Sequence, residues 1–186
     1  MFGIKSVQIC DRCDNIGHVG KDCPFFTESA VDIHDQYNNI PSQISVEVID
    51  GVWNINDRYY VKGSATSWGH NCLIDSLRQC LYIHEDINIL SIRNKLRRLF
   101  CTSGEMQVTR SNFLSVDFHS QAIIDLLLQA NFGTKASYHS AYTLSCIHVR
   151  GNFETSLGGC SIGTGLNTIF IAYVNSNHFE PFLPID

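Results

Sequence analysis

The sequence predicts an α+β protein with a short, separate head. Three observations lead there. Residues 44–61 alternate apolar and polar side chains in short runs, residues 72–133 carry apolar side chains at helical spacing, and alternation returns from Tyr142 onward, broken by glycines. Runs of helices followed by runs of strands mark α+β rather than a strict βαβ repeat. The chain has 186 residues, 44% hydrophobic and 17% charged, enough apolar material for one domain of ordinary size plus an appendage. The organisation read from this is residues 1–26 as the head, 27–43 as a linker and 44–186 as the folded domain.

The linker carries the turn signal Asn38-Asn39-Ile40-Pro41-Ser42. Ile44, Val46 and Val48 alternate with Ser45 and Glu47, a strand. Asp50-Gly51 is a tight-turn pair, so Val52-Trp53-Asn54-Ile55 returns as a second strand. Arg58 to Val61 fits a third. Gly63 to Asn71 is small and polar, hence a loop. From Cys72, the residues Leu73, Ile74, Leu77, Cys80 and Leu81 fall on one helical stripe, with Asp75, Ser76, Arg78 and Gln79 between them. A second helix runs from about Asn88 to Phe100 on Ile89, Ile92, Leu96 and Leu99. Its basic residues Lys95, Arg97 and Arg98 suit the C-terminal end of the dipole and read as a solvated face.

A third helix starts near Phe118 or Ser120, carries Ala122, Ile123, Leu126, Leu127 and Ala130, and ends at Gly133. Tyr142 to Val149 alternates. Gly158-Gly159 and Gly163-Thr164-Gly165 punctuate the chain, and Thr168 to Val174 reads as a central strand. After the turn Asn175-Ser176-Asn177, His178 to Pro184 is extended. Its prolines point to an edge or an exit from the sheet.

The net charge is −5, so the surface as a whole does not attract nucleic acid, and a basic protein partner is tolerated. No stretch approaches the length of a membrane span, and the first residues lack a signal peptide's long apolar run. Of the eight cysteines, Cys72, Cys80, Cys101, Cys146 and Cys160 lie outside the head. Their odd number and irregular spacing indicate free thiols in a reducing, cytosolic compartment, a host cytosol included.

Cys10, Cys13, His18 and Cys23 stand as C-x2-C-x4-H-x4-C in a stretch too short for an apolar core. Two thiolates, an imidazole and a third thiolate suit one tetrahedral, structural zinc ion whose binding is coupled to folding. The spacing resembles the CCHC zinc knuckle of retroviral nucleocapsid-type proteins, and Gly17 and Val19 agree with it. Asp11 stands where that family usually has an aromatic, which removes a stacking surface for a base. Arg12 and Lys21 are outnumbered by Asp11, Asp14 and Asp22. Single-stranded nucleic acid and a protein both remain open as the knuckle's partner.

A thiol is a nucleophile only as thiolate, and a helix start or an imidazolium favours that form. Cys72 is the cysteine placed for both, after a glycine-containing loop and before an amphipathic helix. N–H groups of Gly69, His70, Asn71 and Cys72 are candidates for stabilising an oxyanion. Cys80 and Cys146 read as buried small hydrophobes. His178, projected from the start of a strand, is the candidate base. Glu180 lies on the same side two residues on and is a candidate for orienting the ring, with Asn175 and Asn177 as rivals. His119 and His148 read as structural, and His70 touches either substrate or nothing.

Gly69-His70-Asn71-Cys72-Leu73-Ile74-Asp75-Ser76-Leu77 resembles the nucleophile motif of the OTU (ovarian tumour) cysteine proteases, Asp-Gly-Asn-Cys followed by a helix with a Ser-Leu pair. His178-Phe179 with Glu180, after the apolar strand 168–174, resembles that family's closing motif. Gly69 and His70 replace the motif's Asp and Gly in the loop that shapes the oxyanion hole. The resemblance implies a papain-like OTU fold, a central sheet with helices packed around it. It also implies a thiol protease that removes ubiquitin or a ubiquitin-like protein by hydrolysing the bond after a C-terminal Gly-Gly. Cys72 is then the nucleophile, His178 the base and Glu180 the third member. The competing expectation is a zinc-knuckle binding protein whose OTU-like domain is inactive.

Overall fold

The computed structural model describes residues 44–102, 108–109, 112–150 and 154–185. The knuckle ligands Cys10, Cys13, His18 and Cys23, the head and the linker lie outside the described residues, as does the boundary expected at residue 26.

The described chain is an α+β fold. Seven strands form one mixed sheet in the order β1-β2-β3-β7-β6-β4-β5. They are β1 (Val46–Ile49), β2 (Val52–Ile55), β3 (Arg58–Lys62), β4 (Tyr142–Arg150), β5 (Glu154–Ile162), β6 (Asn167–Val174) and β7 (His178–Pro184). Three helices, α1 (Cys72–Cys80), α2 (Ile89–Thr102) and α3 (Val116–Phe132), fall between β3 and β4. β4 and β6 run parallel and every other pair is antiparallel. The hairpin turns match their sequences: Asp50 and Gly51 both take positive φ, as do Asn56 and Asp57, the conformation that keeps two-residue loops in step with strand twist.

The two faces of the sheet are covered differently. Leu144, Cys146, Ile169, Ile171 and Phe179 face the helices, in one cluster with Cys72, Leu73, Ile74, Leu77, Ile92, Leu96, Ile123 and Leu127. The alternate residues Ile147, Val149, Phe170, Ala172 and Phe182 join Trp53, Ile55 and Tyr60 in a second cluster built from strands. Trp53 lies 5.0 Å from Phe182 and Tyr60 5.4 Å from Phe170, centroid to centroid. The period-two pattern of β4, β6 and β7 thus feeds two cores at once.

Four details differ from the sequence expectations. β7 is an interior strand: His178–Pro181 pair with β6 and Phe182–Pro184 with β3. Pro181 sits where pairing passes from one neighbour to the other, and its carbonyl accepts the Gly63 N–H at 2.8 Å, so the missing proline donor falls at the changeover. β5 runs through Gly158 and Gly159, because Ile147 pairs with Gly159 and Cys146 with Cys160. Arg97 is buried with Arg93 on the flank of α2, whereas Lys95 and Arg98 are exposed. Leu99 is exposed and Phe100 takes its place in the core. On α1, Asp75 and Ser76 are buried along with every residue from Cys72 to Leu77, because α1 packs against β6 and β7 on one side and α2 and α3 on the other.

The Gly163-Thr164-Gly165 break is a true one. A Cβ at Gly165 would stand 2.1 Å from Ala141 C and Tyr142 N, so that loop closes on the start of β4 only without a side chain. Gly133 ends α3 in the left-handed conformation, as expected. No helix among the described residues is long and apolar enough to cross a membrane.

Candidate active site

Cys72 is the first residue of α1, reached through a short 3-10 turn, Trp68–His70. Gly69 (φ 61°) and His70 (φ 55°) are both left-handed. The first is free for glycine, whereas the second costs a side-chain-bearing residue about 1–2 kcal/mol. His70, exposed to solvent, is the residue that stands where the OTU motif has its glycine.

Asn71 holds the turn. Its N–H and Nδ2 both donate to the Trp68 carbonyl, at 3.2 and 3.1 Å, and its own carbonyl accepts the Asp75 N–H at 3.0 Å. Its Oδ1 accepts from Arg93 at 3.0 Å. A buried amide with its groups so engaged is a brace. With the Asn71 N–H spent, the N–H groups of Gly69, His70 and Cys72 are the loop's remaining candidates for an oxyanion. Asp75 fastens the approach to the turn: Oδ2 accepts the Thr66 N–H at 2.8 Å, and Oδ1 pairs with Arg78 at 2.8 Å.

Only 3% of Cys72 is exposed. Burial pushes the thiol up most strongly. The backbone N–H of Phe179, those of Leu73 and Cys72 itself, and the Arg93 charge all pull it down, in that order. The net result lies above the ordinary thiol value. This differs from the expectation of a thiol lowered by its helix start, because desolvation outweighs three N–H groups and a cation. At rest, the Cys72 sulfur holds its proton at neutral pH.

The Phe179 donor joins the two ends of the motif set. Phe179 follows His178, so the sulfur at the start of α1 lies against the start of β7. His178 faces Val174 across the hairpin, after a loop in which Asn175 and Ser176 take positive φ. The Asn175 N–H donates to Val149 O at 2.9 Å and the Asn177 N–H to Val174 O at 3.2 Å, which fixes the loop.

The His178 side chain is 25% exposed, and its Nε2 lies 4.0 Å from Glu180 Oε1. That is an ion-pair distance, beyond a hydrogen bond. The other Glu180 oxygen, Oε2, is bonded to Lys62 Nζ on β3. No hydrogen bond joins Cys72 Sγ to the His178 ring among the described residues. With Nε2 toward the carboxylate, Nδ1 is the ring nitrogen that Glu180 does not face.

Aromatic rings wall the same corner. Phe179 stacks on Tyr173 (4.8 Å) and on Phe113 (5.3 Å). The His70 ring meets the edge of Phe113 at 6.3 Å, and His148 meets Tyr173 at 5.4 Å. His119 is fully buried, accepts the Ser115 N–H on Nδ1 at 2.8 Å and packs on Phe100, a structural role. Cys80, pushed up to about 12 by burial, donates toward the Phe170 and Phe182 carbonyls, as a core thiol. The Cys146 thiol is raised by its hydrogen bond to Cys160 and by burial. No group of three or more metal-ligating side chains occurs among the described residues.

Three contributors were missed in the sequence. Lys62 and Phe113 carry no motif. Arg93 is detectable in principle, because Arg93, Leu96, Arg97 and Phe100 fall at helical spacing along the flank of the apolar stripe.

No family model matches the sequence, and no curated protein matches it significantly. Solved structures do. The viral OTU domain protease from Qalyub virus is 15% identical, with 76% of this chain and 99% of that chain covered and a TM-score of 0.42. The Hazara virus OTU bound to ubiquitin is 14% identical, over 77% and 97% of the two chains, with a TM-score of 0.42. An OTU deubiquitinase from Wolbachia pipientis wMel bound to ubiquitin is 18% identical, over 67% and 96%, with a TM-score of 0.35.

Proposed function

We propose that the folded domain is a thiol-dependent deubiquitinase that hydrolyses the isopeptide or peptide bond after the C-terminal Gly-Gly of ubiquitin or a ubiquitin-like protein. The observation that carries this reading is the contact between the Cys72 sulfur and the Phe179 N–H, which brings a helix-start cysteine beside a strand-start histidine from the far end of the chain. The two motifs at Gly69–Leu77 and His178–Glu180 supply the substrate class.

In this reading His178 turns its ring toward the sulfur and takes the thiol proton on Nδ1 as Cys72 attacks the carbonyl carbon. A thiol that is neutral at rest requires general-base help during attack, unlike a preformed ion pair. Glu180 faces Nε2 and stabilises the imidazolium that forms. N–H groups of Cys72 and of the Gly69–His70 turn face the oxyanion. The protonated ring then gives its proton to the leaving amine. An acyl-enzyme remains, and water attacks it with the same imidazole as base.

The knuckle formed by Cys10, Cys13, His18 and Cys23 would hold one structural zinc ion and serve recruitment, by protein or by single-stranded nucleic acid. The cytosol, a host cytosol included, is the proposed place of action.

The test is a ubiquitin probe ending in a thiol-reactive group. Labelling of the wild-type protein that is absent in Cys72→Ala is the expected result. A folded wild-type protein that takes no label and cleaves no diubiquitin rejects the reading.

A further inference from the structure

Arg93 is 1% exposed in the middle of α2, yet it is a cation. Burying an unpaired guanidinium is costly, so its partners define its purpose. Nε donates to Thr109 O at 3.1 Å. One terminal nitrogen donates to His70 O at 3.1 Å and Asn71 Oδ1 at 3.0 Å, and the other donates to Asn112 through both its carbonyl and Oδ1. All five bonds go to neutral oxygens of two loops, and one of those loops carries the nucleophile. No carboxylate is among these partners, so the positive charge is hydrogen-bonded without being neutralised there.

The peptide between His70 and Asn71 is caught at both ends. Its carbonyl accepts from Arg93, and its N–H donates to Trp68 O. That peptide follows the strained left-handed His70, and a carbonyl free to rotate would let the strain relax. The Arg93 charge is also felt at Cys72, and Cys72 in turn at Arg93.

We propose that Arg93 is the positioning residue of the nucleophile loop: its fork holds the His70–Asn71 peptide in a single orientation and sets a fixed positive charge behind the Cys72 sulfur. The inference rests on the protease reading for its catalytic consequence, but not for its effect on the sulfur. A planar fork with donors in fixed directions suits this task, and lysine does not reproduce it.

The test separates charge from geometry. Iodoacetamide alkylation of Cys72 is followed against pH by mass spectrometry of its peptide, in the full-length protein, with folding checked by circular dichroism and melting. Arg93→Met removes charge and fork. Arg93→Lys keeps the charge alone. Asn112→Asp keeps both acceptors and neutralises the guanidinium without opening a cavity, which covers the case in which Arg93→Met fails to fold.

The alkylation midpoint is expected to rise by roughly half a pH unit or more in Arg93→Met and Asn112→Asp and to stay near wild type in Arg93→Lys. On diubiquitin, Arg93→Lys is expected to lose about tenfold in kcat with little change in KM, because loop geometry acts on the transition state. An unchanged midpoint in folded Asn112→Asp, together with wild-type kcat in Arg93→Lys, overturns the proposal and leaves Arg93 as packing. Failure of the protease reading would show separately, as a wild-type protein that alkylates at Cys72 yet cleaves no ubiquitin conjugate.

Discussion

Around Cys72 the neighbouring residues Asn71, Leu73 and Arg93 are all buried, and the polar ones make several hydrogen bonds each. Around His178 the ring is partly in solvent, and its ionic partner stands 4.0 Å away, itself tethered to Lys62. The Cys72 end is thus built rigidly and the His178 end loosely. In the proposed mechanism the sulfur is the fixed point, and attack would need a small rotation of the imidazole. Desolvation raises the Cys72 thiol above its ordinary value, so in that mechanism the thiol would need the turned ring to take its proton.

The contrast can be broken most severely at the rigid end. Cys72→Ala removes a small buried side chain, so melting should shift by only a few degrees, while hydrolysis of ubiquitin conjugates should fall by on the order of 10³-fold or more. A variant that retains hydrolysis would remove Cys72 from the chemistry altogether.

At the loose end the effect should be smaller and more informative. Glu180→Gln keeps the shape and removes the charge, so kcat should drop by roughly 10- to 100-fold if the carboxylate stabilises the imidazolium. Asn175→Ala sharpens the same point, because a larger loss there than in Glu180→Gln would hand the orienting role to the amide.

Lys62→Met tests whether the tether restrains the base. Loss of the part-buried pair should cost about 1 kcal/mol in chemical denaturation. Freed from Lys62, Glu180 should engage Nε2 and raise kcat severalfold at neutral pH. Lower activity would mean that Lys62 orients Glu180 usefully.

The smallest effect lies away from the site, as a control for pH profiles. Burial pushes the Asp125 carboxyl up, but the His139 ring and the N–H groups of Tyr138 and His139 more than offset it, and the net shift is downward. A carboxyl lowered by folding stabilises the protein above the ordinary carboxylate value, and that contribution is lost as pH falls through the folded value. Asp125→Asn should therefore be about 1–2 kcal/mol less stable at neutral pH, with the gap to wild type closing in acid. A gap that is the same at both pH values would show that the hydrogen bonds, not the charge, matter.

Much of this molecule could be read from its sequence because its elements obey their periods. The turn Asp50-Gly51, the stripe Leu73-Ile74-Leu77 and the stop at Gly133 are local signals, and each formed where expected. The errors came where tertiary packing overrides local chemistry. Prolines in β7 suggested an edge, yet the changeover at Pro181 let the strand lie inside the sheet. Arg97 looked solvated because a charged residue on an amphipathic helix usually is. At the site, the two motifs named Cys72 and His178, and the structure sets the sulfur one residue from the histidine. The brace on the Cys72 loop is harder to read: helical spacing marks Arg93 as a flank residue, but the five oxygens it reaches lie in two loops far apart in sequence.

The shared seventh strand also governs how far the domain can be shortened. Because its back half is zipped to β3 and its Phe182 is roofed by Trp53, the N-terminal hairpins act as a keystone rather than an ornament. A chain starting at Gly63 would bare a row of unpaired backbone donors and an aromatic floor on the very strand that begins with His178. Such a fragment should clump rather than fold, and a well-folded version of this domain must begin ahead of β1.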